Sequence, residues 1–491
     1  LHHRTAYAGA TTGQQLLYSL DEQARRWEVA GKIRKFEFWE FLGIARDEDG
    51  SGRCIGIVAQ DMRSMEIRGF AGDAVVLATG GPGMVFGKST NSTINTGTAG
   101  GAVFQQGVRY ANGEFVQVHP TAVPGEDKLR LISESVRGEG GRVWVPRAPG
   151  DTRPGQDIPE GDRWYFLEEK FPKYGNLVPR DVATREIFDV CVNQKMGVYG
   201  QNQVYLDVTH IDRRQLDLKL RGVLEIYEKF VGDDPRDVPM RIFPAVHYSM
   251  GGIWVNDGTS PDSVPYHMTN VPGLFAVGEC DYQYHGANRL GANSLLSCLT
   301  SGQIAGPAVC RYADGLERHP DASDPALDRE VKSRTGQYER LKVMDGPENP
   351  YLIWREMGTL MTENVTVVRD NARLHETIGA LDALQDRYER VGVSDAGGWS
   401  NQVIPFTRQL GNMLMLARII AKGALLRDES RGAHYKPAFP ERDDARFQKT
   451  TVATYDPTNP RDPKISYEDV DLQWIAPRTR NYTGGSTAPK S

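Results

Sequence analysis

The segment DAVVLATGGPG, residues 73–83, is the feature that most constrains the fold. Its β-branched apolar residues run directly into paired glycines, which predicts a short apolar strand that ends in a glycine turn. In doubly wound α/β folds such a turn brings the backbone close to a nucleotide. Many buried strands end on glycine, so this segment indicates an α/β core without identifying what the core binds.

The glycine-rich, strand-like pattern is interrupted and then returns. Residues 112–246 are richer in proline, arginine and aspartate, whereas GGIWV and GLFAVGEC within 247–302 restore the earlier character. This order predicts one α/β domain that contains an insert. Within residues 35–60, the short segment DEDGSG predicts a hairpin turn between two strands.

Three helices are predicted from the spacing of apolar residues. The first spans residues 11–30, and the last runs from about 407 to 427. Between them, six residues fall on one helical face: Leu374, Ile378, Leu381, Leu384, Tyr388 and Val391. The chain therefore changes to helical structure after the second glycine-rich region.

Composition excludes several classes of protein. The net charge of −6 and the absence of a basic run with interleaved aromatics argue against a nucleic-acid partner. The five scattered cysteines form no C-x-x-C, so neither a zinc site nor an iron–sulfur cluster is indicated, and a reducing compartment fits best. Arg418 and Lys422 interrupt the most hydrophobic helix, so no membrane-spanning segment is predicted.

Two histidines and two arginines occur in settings that suit an anion. VQVHPTA places His119 at the end of a predicted strand in which apolar and polar residues alternate, and PAVHYSMGG places His247 before paired glycines. HGANRLGANSLL surrounds Arg289 with small residues, and an arginine there suits a carboxylate. PRDVATR places Arg180 near a helix start, where the structural alternative is a cap formed by Asp181. Packing or capping is likewise the structural alternative for each histidine.

The segment LISESVRGEGG, residues 131–141, contains Glu134 and Arg137 three positions apart, ahead of paired glycines. Its structural alternative is an ion pair that merely holds the loop. The sequence shows no serine–histidine–acid pattern beyond chance and no metal-ligand spacing. Together these clusters favour a small dianion over an acyl or phosphoryl group as the ligand.

The chain closely resembles the flavoprotein subunit of succinate dehydrogenase and fumarate reductase. The matching segments follow the family's order over roughly residues 4–450 and are ATGGPG, VQVHPTAV, SESVRGEGG, RDVATR, HYSMGGI, LFAVGEC, HGANRLGANSLL and ESRGAHYKPAFPERDD. HGANRLGANSLL together with SESVRGEGG is highly specific for this family.

The resemblance implies an α/β fold in which a Rossmann-type FAD-binding domain is interrupted by an α+β capping domain and followed by a helical domain. The implied FAD-binding domain comprises residues 1–118 and 247–310, and the capping domain comprises 119–246. The helical domain is then 311–435, and 436–491 form an arm that lies on a partner or on the body.

The resemblance also implies the chemistry, which is hydride transfer between N5 of FAD and one carbon of succinate, with a proton moved at the neighbouring carbon. Four residues would hold the two carboxylates: His119, Ser133, His247 and Arg289. Arg180 would transfer the proton, and Glu134 and Arg137 would resupply it, because an arginine alone is a very weak acid.

Three residues correspond to FAD contacts. Glu279 matches the acid that contacts the ribose. A helix is predicted from Ser294, and the backbone N–H groups of Ser294 and Leu295 at its start would face the pyrimidine edge of the flavin. The family's G-x-G-x-x-G and its covalent FAD-linking histidine are expected before residue 1, so the chain is expected to be truncated and to lack the first βαβ of the FAD-binding domain. Thr98 stands where the family has an aspartate, so the ribityl or adenosine contact made at this position in the family is not expected here.

Partners follow from the same resemblance. Electrons are expected to leave through an iron–sulfur subunit, and membrane anchor subunits are expected to hold the chain peripherally on the cytoplasmic face of the inner membrane. Two alternatives stay open, an L-aspartate oxidase-like flavoenzyme and a non-catalytic fragment that lacks FAD. The residues do not fix the direction of the reaction.

Overall fold

A computed structural model describes residues 8–48, 50–125, 128–258, 264–473 and 475. The chain divides into two units. Unit 1 consists of the described parts of Leu1–Lys35, Val118–Ala245 and Leu472–Ser491. Unit 2 consists of the described parts of Phe36–Gln117 and Val246–Asp471.

The helices and strands are numbered in chain order. The strands are β1 (Trp39–Arg46), β2 (Cys54–Asp61), β3 (Ile67–Ala71), β4 (Val75–Leu77), β5 (Tyr110–Ala111), β6 (Val116–Val123), β7 (Arg130–Leu131), β8 (Arg142–Pro146), β9 (Arg163–Trp164), β10 (Val204–Asp207), β11 (Met240–Ser249), β12 (Gly252–Ile253), β13 (Leu274–Ala276), β14 (Lys449–Thr454) and β15 (Lys464–Asp469). The α-helices are α1 (Thr12–Val29), α2 (Thr98–Gln105), α3 (Ser135–Gly138), α4 (Phe166–Lys170), α5 (Arg180–Phe188), α6 (Arg213–Lys219), α7 (Arg221–Val231), α8 (Asn293–Asp314), α9 (Pro325–Lys342), α10 (Pro350–Val365), α11 (Asn371–Tyr388), α12 (Val403–Leu426) and α13 (Asp444–Phe447).

Unit 1 is a mixture of helices and a mainly antiparallel sheet. The strand order is β7-β6-β11-β10-β8-β9, and the boundary between the units falls within β6 and β11. Its core is apolar and aromatic, with Trp144, Tyr205 and Leu224 fully or almost fully buried. The predicted helix at 11–30 is confirmed as α1. It belongs to this unit because the turn before it contacts α7, whereas the sequence grouped it with the FAD-binding domain.

The prediction that a strand of alternating burial ends at His119 is wrong. Strand β6 continues through Pro120 to Val123, and all eight of its residues are buried. Proline lacks a backbone N–H and normally disrupts a sheet. Strand β6 lies between β7 and β11, and its pairing with β7 involves Ala122 and Val123, beyond Pro120.

Unit 2 contains the parallel strands that the glycine turn predicts. Strand β4 pairs with β13 in parallel, from Val75 opposite Leu274 to Leu77 opposite Ala276. The predicted hairpin is confirmed as β1 and β2, which are antiparallel. A further sheet has the order β12-β5-β14-β15, so part of the predicted C-terminal arm is built into unit 2 through β14.

Helices α10, α11 and α12 of unit 2 pack against one another. Leu374, Leu381 and Leu384 are buried, which confirms the predicted face of α11. Helix α12 begins at Val403, four residues before the predicted start, and the Asn401 side chain accepts a hydrogen bond from the backbone of its first turn. Among the described residues, no helix combines the length and apolar character needed to cross a membrane.

Helix α10 lies very close to the turn that follows β4. Its Trp354 ring N–H donates to the Met84 carbonyl oxygen at 2.9 Å, and its Thr362 hydroxyl donates to the Phe86 carbonyl oxygen at 2.7 Å. Between these contacts, a Cβ on Gly358 would lie 2.6 Å from the Cα of Gly87. Since that neighbour is backbone, the helix can approach this closely only with glycine at position 358.

We therefore expect Gly358→Ala to lower the free energy of unfolding of unit 2 by about 1–3 kcal/mol, because the added methyl group overpacks this contact. As a control, Gly379 of α11 has nothing within 4 Å of an added Cβ. Gly379→Ala is expected to raise stability by up to about 1 kcal/mol through helix propensity. Urea denaturation midpoints measure both changes, and an unchanged or higher midpoint for Gly358→Ala would contradict the close contact.

Candidate active site

In unit 1, Glu134 lies between two arginines. Its Oε1 accepts a hydrogen bond from Nη2 of Arg137 at 2.9 Å. Its Oε2 accepts from Nε and Nη2 of Arg180 at 3.1 and 2.9 Å. The predicted Glu–Arg pair is therefore one half of a chain that runs Arg180–Glu134–Arg137.

Burial differs sharply among these three side chains. The side chain of Arg137 is 2% exposed, that of Arg180 10%, and that of Glu134 35%. Burial lowers the pKa of Arg137; the charge of Glu134 opposes this shift, and the charge of Arg180 adds to it. The carboxylate thus lies nearest to solvent, and the two guanidiniums extend inward from it.

Local structure explains how these residues meet. Arg180 is the first residue of α5, and Arg137 lies in the short helix α3. Nη1 of Arg137 donates to the carbonyl oxygens of Asn176 and Val178 at 2.6 and 3.2 Å. Arg137 therefore contacts the segment that leads directly into α5 and Arg180.

The paired glycines after α3 fold the chain back on itself. The Gly141 N–H donates to the Val136 carbonyl oxygen at 2.8 Å, and a Cβ at Gly141 would lie 2.7 Å from the same oxygen. Gly140 has φ +109°, which L side chains rarely adopt, and its carbonyl oxygen is 3.1 Å from Nε2 of His210. The backbone conformation thus favours glycine at both positions of the pair, Gly140 and Gly141.

His119 and Ser133 belong to segments that hydrogen bonds join within unit 1. The Thr121 N–H lies 3.2 Å from Nδ1 of the fully buried His119, so Nδ1 accepts and a neutral ring carries its proton on Nε2. The Thr121 hydroxyl donates to the carbonyl oxygen of Ile132, next to Ser133, at 2.7 Å. The Thr184 hydroxyl of α5 donates to the Val118 carbonyl oxygen at 3.0 Å, which ties α5 to β6.

His247 and Arg289 belong to unit 2. Nδ1 of His247 lies 2.7 Å from the hydroxyl oxygen of Thr90. Arg289 is 2% exposed, and its guanidinium carbon lies 4.6 Å from the ring centroid of Tyr248. Tyr248 follows His247 in β11, so this strand positions both predicted carboxylate ligands of the unit.

Glu279 lies just after β13 and faces the glycine turn after β4. Its Oε1 accepts from the Ser249 N–H at 3.0 Å, and a Cβ at Gly81 would lie 2.6 Å from the same oxygen. Burial raises the pKa of Glu279 to about 7, although the Ser249 N–H and the charge of Arg289 oppose the shift. This carboxyl group is poised to change protonation near neutral pH.

Helix α8 begins at Asn293, so Ser294 and Leu295 lie in its first turn as predicted. Among the described residues, no side chain caps this end, and Leu295 is 39% exposed. Backbone N–H groups in a first turn have no acceptor within the helix and suit an acceptor on a ligand. Thr98 begins α2, and its hydroxyl oxygen accepts from the Asn412 amide at 2.7 Å, which gives it a structural role.

Comparisons with known proteins identify the family. A family model of the FAD binding domain matches residues 1–295, and a model of the fumarate reductase flavoprotein C-terminal region matches 354–482. The succinate dehydrogenase flavoprotein subunit of Bacillus subtilis (strain 168) is 57% identical over 484 residues, which cover 98% of this chain and 78% of the relative. The chain belongs to the succinate dehydrogenase and fumarate reductase flavoprotein family.

Other comparisons agree with this family. The fumarate reductase flavoprotein subunit of a Serratia species is 34% identical over 489 residues, which cover 99% of this chain and 78% of the relative. A solved structure of Escherichia coli quinol fumarate reductase has a TM-score of 0.85 and 32% identity, and the match covers 98% of this chain and 79% of that one. The likeness therefore extends over nearly the whole chain in both sequence and fold.

Family membership confirms the predicted resemblance, the α/β FAD-binding fold and FAD as the cofactor of this oxidoreductase. The structure fits such a group, because the buried Glu279 carboxyl faces a glycine turn and the start of α8 offers backbone donors. The roles predicted for individual residues and the four-part domain division stay predictions.

Sequence reasoning did not single out His285 or Thr90. His285 lies inside the HGANRLG motif, where its Nε2 is 3.3 Å from the Tyr248 hydroxyl and 3.2 Å from the Ser297 hydroxyl. Burial and the charge of Arg289 lower the pKa of His285 to about 4, so the ring is neutral at physiological pH. The HGANRLG motif was the sequence signal that could have identified His285. Thr90 lies in an irregular segment that gave none.

The raised pKa of Glu279 predicts a pH-dependent stability. From pH about 4.5 to about 7 the unfolded chain releases a proton that folded Glu279 retains, so the free energy of unfolding falls as pH rises. Glu279→Gln should reduce this fall by roughly 2–3 kcal/mol, measured by urea denaturation at several pH values. Replacement of the exposed Glu376 by glutamine serves as the control. If the free energy of unfolding depended on pH in the same way for Glu279→Gln and wild type, the raised pKa of Glu279 would be refuted.

Proposed function

We propose that this chain catalyses the interconversion of succinate and fumarate and passes electrons to an iron–sulfur partner. The observation that carries the proposal is Glu134 bridging Arg137 and Arg180 in unit 1. When bound, FAD supplies the site that accepts or donates the hydride. The protein's own residues then have two tasks, to hold the dicarboxylate and to move one proton.

The first task falls to four residues predicted from the sequence. We propose that His119, Ser133, His247 and Arg289 bind the two carboxylates of one substrate. His119 offers the N–H at Nε2, since Nδ1 already accepts a hydrogen bond. The Ser133 oxygen accepts from the Ser135 N–H and hydroxyl at 3.2 and 2.8 Å, which leaves its own proton for a carboxylate.

Arg289 supplies charge to this clamp from a buried position. A guanidinium matches a carboxylate in geometry and cannot lose its charge by ordinary titration. Polarising one carboxylate of fumarate lowers the barrier to hydride addition, because the developing negative charge is stabilised most strongly in the transition state. The clamp therefore contributes to the rate as well as to binding.

The second task falls to Arg180. In fumarate reduction the hydride adds to one alkene carbon, and Arg180 donates a proton to the other. Glu134 contacts both Nε and Nη2 of Arg180, so it is placed to give Arg180 a new proton that it has first taken up from Arg137 or from solvent. Arg137 contacts the other oxygen of Glu134, and its lowered pKa makes it a better proton donor than an ordinary arginine. Partly exposed Glu134 links this relay to solvent.

Electron transfer requires a partner. The comparisons include quinol fumarate reductase, and we propose that this chain likewise passes electrons to an iron–sulfur subunit. Membrane anchor subunits would then hold the complex at the cytoplasmic face of the inner membrane. The alternative of an L-aspartate oxidase-like enzyme predicts activity without such subunits.

Replacing Arg180 tests the proton transfer. We expect Arg180→Gln and Arg180→Lys to lower kcat by about 100-fold or more, because a positioned proton donor contributes at least that much, while succinate binding survives. Arg142→Gln is the control, since Arg142 pairs with Glu160 and Glu168 in the same unit outside the motif. A kcat within about threefold of wild type, roughly 0.6 kcal/mol, would show that Arg180 is not the donor.

Glu134→Gln tests the relay separately. The amide keeps the shape of the side chain and removes its proton-accepting charge, so we expect a smaller fall in kcat than for Arg180→Gln. A larger solvent isotope effect on kcat should accompany it, because reprotonation of Arg180 then limits the rate. An unchanged isotope effect with full activity would assign Glu134 a purely structural role.

A substrate panel distinguishes the alternatives. With FAD bound and an artificial electron acceptor or donor, we expect turnover of succinate and fumarate but not of aspartate, and co-purification with a cluster-containing protein. Oxidation of aspartate in the absence of an iron–sulfur subunit would favour the alternative hypothesis of an L-aspartate oxidase-like enzyme. Absence of the flavin absorbance bands in the purified protein would favour the non-catalytic fragment.

A further inference from the structure

In unit 2 the turn formed by residues 431–434, here called the RGAH turn, packs against the loop that carries Arg289. Its end residues exchange backbone hydrogen bonds of 2.8 and 3.0 Å. Gly432 has φ +58°, and a Cβ there would lie 2.3 Å from the Ala287 carbonyl oxygen. The Ala433 N–H donates to that oxygen at 2.8 Å. The turn thus contacts the backbone two residues before Arg289.

The ring of His434 anchors the end of the turn. His434 is fully buried, and its Nε2 donates to the Arg427 carbonyl oxygen at 2.9 Å. Its Nδ1 therefore accepts a hydrogen bond from the guanidinium of Arg369, which also donates to the Glu114 carbonyl oxygen at 2.7 Å. Burial and the surrounding positive charges keep the pKa of His434 well below its usual value, so the ring stays neutral.

A buried ion cluster anchors the start of the turn. Arg427 is fully buried and donates to Glu114 Oε1 at 2.7 Å and to Glu429 Oε1 at 2.9 Å. Glu429 in turn accepts from Nε and Nη2 of Arg431 at 2.7 and 2.9 Å. Breaking one pair of such a cluster leaves an uncompensated buried charge, so these residues have little freedom to move.

A second path leads from the turn to Arg289 itself. The His434 ring lies edge-on to Phe115, with ring centroids 6.4 Å apart. The Phe115 carbonyl oxygen accepts from the Met250 N–H at 2.9 Å, and the Met250 sulfur accepts from the Arg289 N–H at 3.0 Å. Ala287 and Ala433 pack against the same apolar cluster. The RGAH turn is therefore linked at two points to the loop that carries Arg289.

We propose that the RGAH turn is a positioning element for Arg289. It sets where the guanidinium meets a dicarboxylate and does not itself contact the substrate. This inference rests on the proposed function, because it takes Arg289 as a carboxylate ligand. A turn that served only folding would leave the dicarboxylate affinity of the folded, flavin-loaded protein unchanged, which makes the two roles separable.

Gly432→Ala in the flavin-loaded protein tests the proposal. We expect the KM for succinate and the Kd for malonate, a non-reacting dicarboxylate measured by its perturbation of flavin absorbance, each to rise by about tenfold or more. FAD content should stay unchanged. Gly200→Ala is the matched control, because Gly200 has a similar φ of +69° and nothing within 4 Å of an added Cβ. Its KM and Kd should stay within about twofold of wild type.

Malonate binding by wild type and by Gly432→Ala distinguishes a failure of the positioning role from a failure of the proposed function. If wild type binds malonate and Gly432→Ala binds it equally well, the positioning role is wrong and the proposed function stands. If the flavin-loaded wild type does not bind malonate, the proposed function fails and the inference fails with it. Partial recovery of malonate affinity when Ala287→Gly is added to Gly432→Ala would support the contact directly, since it removes a Cβ that lies 3.0 Å from the introduced methyl group.

A measurement on the wild type covers the case in which Gly432→Ala does not fold. Coupling between two sites is reciprocal, so dicarboxylate binding at Arg289 should slow hydrogen exchange at the Ala433 amide. We expect malonate to protect the peptide 427–436 together with 285–290, and to leave 374–384 of α11 unchanged. Protection of 285–290 without any change at 427–436 would overturn the proposal.

Discussion

A buried guanidinium must have a partner, and this constraint organises both units. Taking an unpaired charge out of water costs several kcal/mol, so each buried arginine fixes the position of an acceptor or a ring. In unit 1, Glu134 serves two arginines at once. In unit 2, Arg427 fixes Glu114 and Glu429, and Arg289 lies over the ring of Tyr248. The same requirement thus produces the proposed proton relay and the support of the proposed clamp.

Close backbone contacts are the second recurring device, and glycine makes them possible. At Gly141 the chain folds back onto Val136, and at Gly432 it contacts Ala287. At Gly81 the missing side chain leaves room for the Glu279 carboxyl group. Each contact lies beside a residue with a predicted role, because a glycine contact fixes the backbone more closely than packed side chains do. These three glycines therefore have specific structural uses in this chain.

Burial shifts the pKa values of acidic and basic groups in opposite directions. It raises the pKa of the Glu279 carboxyl to about 7, whereas it lowers the pKa of the His285 imidazole to about 4 and that of the Arg137 guanidinium. In every case the neutral form gains, because a low-dielectric environment disfavours charge. A carboxyl that titrates near neutrality, a neutral imidazole and an arginine of increased acidity suit the proposed function, in which a dianion is held and a proton is moved.

The sequence by itself determined the local features. It predicted the glycine turn after β4, the buried face of α11, the start of α8 near Ser294 and the pairing of Glu134 with Arg137, because each depends on residues within a few positions. Only the tertiary structure brought Arg180 to Glu134 across 46 positions and Thr90 to His247 across 157. It also carried β6 through Pro120, joined β14 to β5 and buried Arg418, which donates to the Leu381 carbonyl oxygen. Periodicity in the sequence indicates which face of a helix or strand is apolar, and turn residues indicate where the element ends. Which other element covers that apolar face depends on the packing of segments that are distant in the sequence.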